Sequence, residues 1–239
     1  MKRFYLSFIF ILFALSAFAQ IKITPEGGVM ISKSYYYTAG VGARIGVNVR
    51  YSFNGKDNGF GLRSGLYYIQ RNTTSYSGSD IMYNMPGSSQ IKTFFLVHGL
   101  EEGVINDVIP EGAELQSINT YYSKVRKDYL QLPVMAEYAW NLSSNLRFHL
   151  AAGPYVALGV SGKNKTYTVS WDFEGQPKST EKSESPFSGG RNRLDVGASM
   201  QTGLQVSKFS FILNYDINLY KRDAYGKGNY VSLSLGYTI

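Results

Sequence analysis

The chain has 239 residues, no Cys and a formal charge of +7, with only 17% of its residues charged; that bounds it to one domain of ordinary size. Without Cys, neither disulfides nor thiolate metal sites hold it together, so backbone pairing and packing must. Its Lys and Arg are scattered rather than gathered in a stripe, which excludes a nucleic-acid surface.

Met1-Lys2-Arg3 is followed by an apolar run from Phe4 to Leu15 broken only by Ser7, then by Ser16-Ala17-Phe18-Ala19 before Gln20. A basic start, an apolar core and an Ala-x-Ala site predict a signal peptide over residues 1–19. The run is short of the ~20 residues that a spanning helix needs. Gln20 in place of Cys closes the lipoprotein route. Residues 20–239 are then the mature domain; loss of Lys2 and Arg3 from the 24 basic residues leaves 22 against 17 acidic ones, a charge of +5.

From Ile21 onward apolar and polar residues alternate with period two, the signature of strands with one apolar face. Eight strands are predicted, at residues 21–31, 41–53, 60–68, 130–140 with a polar extension back to about Tyr121, 146–160, 194–206, 209–219 and 231–239. In the last, Val231, Leu233, Leu235, Tyr237 and Ile239 oppose Ser232, Ser234, Gly236 and Thr238. The apolar faces carry no charged residue. The polar faces carry nine: Lys22, Glu26, Arg44, Arg50, Arg63, Glu137, Arg147, Asp195 and Asp216.

A soluble sandwich also alternates, but it turns its apolar face inward. Here the polar faces are rich in Gly, including Gly28, Gly46, Gly65, Gly197 and Gly203. Gly is a poor choice on a solvated strand and suits a crowded interior. The apolar faces are large Leu, Val, Ile and Phe, as a lipid-facing belt requires. No stretch after residue 20 is long and apolar enough for a membrane helix, so a membrane-resident chain must close its sheet. The expected fold class is all-β: an eight-stranded antiparallel up-and-down transmembrane β-barrel of the OmpA/OmpX type.

The connections support this. Residues 54–58, 141–145 and 207–208 are short and rich in turn formers, whereas 32–38, 72–119, 162–191 and 221–228 are long. Aromatics on the apolar face gather at the short-turn side as an expected inner girdle: Tyr51, Phe53, Phe60, Tyr138, Trp140, Phe148, Phe209 and Tyr237. Tyr68 and Tyr122 fit an outer one.

Eight strands enclose a lumen that side chains fill. Five positive and four negative inward residues predict interlocking ion pairs and a plugged barrel, since an unpaired charge there is costly and a selectivity ring needs one sign in excess. The chain has two His. His149 faces inward near the short turns, and His98 lies in the 72–119 loop beside Glu101 and Glu102 with no dependable triad spacing. No catalytic, metal or cofactor-binding residue and no cofactor are expected. Gly40-Val41-Gly42 and Gly59-Phe60-Gly61 misplace the third Gly of a dinucleotide fingerprint and precede no helix.

The 72–119 loop is the candidate working surface. Asp80, Glu101, Glu102, Asp107, Glu111 and Glu114 oppose Lys92 alone, beside the apolar run Phe94-Phe95-Leu96-Val97. Phe94, Phe95, Glu101, Glu102, Asp107, Glu111 and Glu114 form a candidate docking surface for a protein partner or a divalent cation. The plainer reading is a solvated loop that partly extends the third and fourth strands. The 162–191 loop is nearly balanced in charge, and its Gly, Ser and Pro favour flexibility.

Tyr129-Leu130-Gln131-Leu132-Pro133-Val134, Ala152-Gly153-Pro154-Tyr155-Val156, Asp195-Val196-Gly197-Ala198 and Ser234-Leu235-Gly236-Tyr237 resemble the Bacteroidota outer-membrane β-barrel domain family, the PorT-like porin-family proteins. The resemblance runs over nearly the whole mature chain. It implies an eight-stranded outer-membrane barrel and raises protein secretion as a role. The chain departs from many barrels in ending at Ile239 rather than an aromatic.

The expected partners are outer-membrane lipid, the outer-membrane assembly machinery during biogenesis, and a protein at the long loops; nucleic acid is excluded. The expected function is structural or recognition-based through those loops. A secretion or assembly accessory, a small-solute pore and a rim enzyme such as a lipid A hydrolase are the alternatives.

Overall fold

The structure is a computed structural model that describes residues 21–34, 37–54, 57–84, 91–95, 112–172, 178–188, 192–219 and 228–239. The predicted leader lies outside these residues, as do His98, Glu101, Glu102, Asp107 and Glu111.

Among the described residues ten strands run in chain order: β1 (Ile21–Ser34), β2 (Tyr37–Ser52), β3 (Gly59–Asn84), β4 (Ile91–Phe95), β5 (Glu114–Asn141), β6 (Leu146–Asp172), β7 (Lys178–Glu184), β8 (Leu194–Val206), β9 (Phe209–Asn218) and β10 (Gly228–Tyr237). Eight of them form a closed antiparallel ring in the order β2-β1-β10-β9-β8-β6-β5-β3, with β3 returning to β2. Closure pairs every ring strand on both sides, the condition for a sheet to sit in hydrocarbon.

Burial follows the alternation with the sign that the glycines indicate. Val231, Leu233 and Leu235 are exposed, and Ser232 and Ser234 between them are buried. On β9, Phe211 and Leu213 face out while Asn214 and Asp216 are buried. The greasy surface is outside and the ionic one inside, the reverse of a water-soluble sandwich.

Glycine makes room for the interior. A Cβ at Gly197 would lie 2.5 Å from the Tyr155 ring, and one at Gly203 would lie 2.3 Å from the His149 ring. Both separations are shorter than van der Waals contact, so each large ring occupies space that its neighbouring strand leaves free.

β3, β5 and β6 are far longer than the predicted spans. The sequence reading ends the third strand at Tyr68, whereas β3 continues to Asn84 and pairs with β5 from Tyr76↔Tyr122 out to Asn84↔Glu114. β4 adds to the outer part of β3, from Ser79↔Phe95 to Tyr83↔Ile91. β7 adds to β6, from Asn164↔Glu184 to Ser170↔Lys178. Much of the expected 72–119 and 162–191 loops is therefore a continuous sheet in the order β4-β3-β5-β6-β7 beyond the ring. Thr and Tyr in 73–76, 120–122 and 166–169 give these segments strand propensity without an apolar stripe. The expected 32–38 loop is shorter too, because β1 reaches Ser34 and β2 begins at Tyr37.

Candidate functional site

The lumen is filled in three layers. Nearest the short turns, Glu137 on β5 accepts from Arg50 Nε at 2.5 Å, from Arg147 Nη2 at 2.5 Å and from Arg63 Nε. Adjacent strands deliver these groups because pairs such as Arg50↔Arg63, Gly61↔Glu137 and Asn141↔Arg147 set β2, β3, β5 and β6 in register. Lys22 stands at the rim, half-exposed, with its Nζ 2.5 Å from Asp57 Oδ1 in the β2–β3 turn. Burial pushes the Asp57 carboxyl up, but the hydrogen bond and charge of Lys22, with Arg147 and Arg50 behind, hold it below its ordinary value.

In the middle layer Asp216 on β9 is fully buried. It accepts from Ser199 Oγ at 2.6 Å, Asn214 Nδ2 at 2.8 Å, Gln131 Nε2 at 3.2 Å and Arg44 Nη1 at 3.5 Å. Arg44 also faces Glu26 at 3.9 Å and stacks on the Tyr67 ring at 3.9 Å from its centroid. Four donors on one carboxylate compensate its desolvation, which an isolated ion could not offset in so enclosed a space.

The outer layer is aromatic. Arg71 pairs with Asp195, and its guanidinium lies over the rings of Tyr230 at 3.8 Å and Tyr129 at 4.6 Å. Asn218 Nδ2 donates to the other Asp195 oxygen at 2.7 Å. Phe187, between β7 and β8, meets Tyr129 edge-on at 5.8 Å and occupies the space beside Gly159. Met30, Ile69 and Ala157 complete this cluster.

Of the nine charged residues read as inward, eight are buried and Lys22 is at the rim. Arg71 is a further buried lumen charge, outside the predicted spans. Arg71 shares the parity of Arg63, so extending the third strand by three residues finds it. Asp128 is buried as well, but on the parity of outward Leu130, where it pairs with half-exposed Arg126 at 3.0 Å beside a bulge whose extra residue is Val160 on β6. His149 is buried, and among the described residues neither ring nitrogen has a partner. Among the described residues no group of three or more His, Cys, Asp or Glu is placed to hold a metal.

The aromatics of the short-turn side stand on the outer face. Tyr51 meets Phe53, and Phe60, Tyr138, Trp140 and Phe148 form a run of contacts with centroids 4.6 to 5.6 Å apart. Phe209 packs on Tyr237. At the other end Tyr122 stacks on Tyr167.

Of the candidate docking residues, Glu114 is exposed at the start of β5, and Phe94 and Phe95 close β4. At the far edge β7 is exposed throughout. Lys165 reaches Glu181 across the β6–β7 pair at 2.6 Å, a hydrogen bond that holds the carboxyl below and the ammonium above their ordinary values.

A family model described as "Outer membrane protein beta-barrel domain" matches residues 12–221. No curated protein matches the chain. Among solved structures, that of Ail, the attachment invasion locus protein of Yersinia pestis, in complex with the heparin analogue sucrose octasulfate, is 16% identical, with 92% of this chain and 97% of that one covered and a TM-score of 0.37. That of Neisserial surface protein A is 11% identical, with the same coverages and a TM-score of 0.40.

Proposed function

We propose that this chain, which belongs to the outer membrane protein β-barrel domain family, is a non-catalytic recognition protein that acts through the sheet it carries beyond the ring. It is an integral protein of the outer membrane, its apolar outer face against lipid. Residues 1–19 are its cleaved leader, and the assembly machinery inserts it.

What carries the proposal is the five-stranded extension, which among the described residues has two unlike open edges, β4 and β7. An open edge offers a row of unpaired backbone N–H and C=O groups to an incoming strand, with side-chain positions beside it for selectivity. The β7 edge reads Lys-Ser-Thr-Glu-Lys-Ser-Glu and is blunted by its charges. The β4 edge reads Ile-Lys-Thr-Phe-Phe and has one charge. The β4 edge is therefore the docking edge, and the acidic residues predicted around it select a partner with basic flanks. The layered lumen argues against a pore, because three tiers of buried side chains fill the cross-section.

A photo-crosslinking residue at Thr93 in β4, installed in intact cells, should give one discrete protein adduct, and the same residue at Lys182 in β7 should give none. Equal adducts from both edges, or none from either, would sink the proposal. The PorT-like resemblance supports a second reading, an accessory of protein secretion; an adduct that contains a secretion component distinguishes it.

A further inference from the structure

We infer that the short-turn mouth of the barrel holds one buried monovalent anion of about the size of chloride. A cavity of about 10 Å³ lies there, lined by Lys22, Arg50, Arg63, Arg147 and, among its uncharged donors, Asn48 and Ser210. That volume accepts about one water-sized particle and is too small for phosphate or a carboxylate ligand. No carboxylate lines it.

Charge counting points the same way. In the layer around the cavity, Lys22 is matched by Asp57, whereas Arg50, Arg63 and Arg147 converge on Glu137 as their one directly paired carboxylate among the described residues. The next carboxylates up the lumen, Glu26 and Asp216, face Arg44, and Asp195 is taken by Arg71. Among the described residues of the lumen and its short-turn mouth, Lys22, Arg44, Arg50, Arg63, Arg71 and Arg147 oppose Glu26, Asp57, Glu137, Asp195 and Asp216. One positive charge is left over, and it lies on the side of the cavity. An uncompensated ion among walls this dry is expensive, and a single anion cancels it.

Unused donors are already in place. The Nε of Arg147, a residue 7% exposed, has no partner among the described residues. Arg63, 5% exposed and bonded to Glu137 through its Nε, lines the same cavity. Three guanidinium groups that line one small space, one of them with an unused N–H, make a preorganised anion receptor. The neighbouring rim pocket of about 200 Å³ shares Arg147 and Gln205 with the cavity and offers a way in from the periplasm.

The test uses the full mature barrel folded in detergent, with chloride, bromide and gluconate as probes. Gluconate exceeds the cavity, so at matched ionic strength it serves as the blank. The thermal midpoint should rise by roughly 3–6 °C for each tenfold increase in chloride once the site fills, and stay level in gluconate. Arg63→Gln should flatten the chloride response. Crystals soaked in bromide should give an anomalous peak between Arg63 and Arg147. Midpoints that match in chloride and gluconate, or a bromide peak confined to the rim beside Lys208, overturn the inference and leave an adventitious ion only. If Arg63→Gln does not fold, the two wild-type measurements decide the matter.

Discussion

Glu137 is the residue on which the short-turn half of the barrel depends, since three guanidinium groups from three other strands converge on its carboxylate. Removing one partner from a buried network leaves the rest uncompensated, so Glu137→Gln should cost ~3–5 kcal/mol. Urea unfolding in lipid vesicles measures it; a loss below ~1 kcal/mol would show that the three arginines do not lean on this group. Asp57 belongs to a weaker class, because its pair with Lys22 is largely wet. Its carboxyl is held low in the folded state, so the pair's contribution is complete above the unfolded value near ~4 and fades as pH falls through the folded one. Asp57→Asn should lower stability at pH 7 by ~1 kcal/mol at most, and by progressively less as the pH is taken down through the folded value. The inward set was legible in the sequence wherever a strand ran without interruption, as at Arg44, Arg63 and Asp216. It was illegible at Arg71, because the polar outer part of β3 has no apolar stripe to show that the strand continues past Tyr68.

At the scale of the strands, alternation identified the ring because each ring strand meets two media at once, hydrocarbon on one face and a packed ionic interior on the other. Beyond the membrane that contrast vanishes. The outer parts of β3, β5 and β6 are mostly polar or aromatic, with aliphatic residues such as Ile81, Ile118 and Val169 too sparse to make a stripe, so hydrophobic periodicity does not mark them. This is why residues 72–84 read as loop although they are paired on β5. The lipid-facing reading has a direct check on β9. Leu213 pairs with Leu233 of β10 and with Thr202 of β8, midway along the wall, so Leu213→Arg should cost ~2–4 kcal/mol in vesicles. Indifference to that charge would mean hydrocarbon does not touch this face.

For the whole molecule, the filled lumen predicts the electrical behaviour. Planar bilayers with the mature barrel should show no porin-like steps at 0.15 M salt, because Arg71 in its ring of tyrosines, Asp216 with its four donors and Glu137 with its three arginines obstruct successive levels. Open steps of porin size would require those layers to be absent in the membrane.

The length of β3 bears on how a partner would arrive. Its 26 residues span roughly 85 Å of contour at ~3.3 Å each, and a tilted strand needs only about 9–11 of them to cross the hydrocarbon. The surplus lifts the β4 edge clear of the headgroup layer on a ribbon braced by β5. A soluble ligand can thus engage the tip without shedding water against lipid, and swapping one lipid species for another should leave its capture rate untouched.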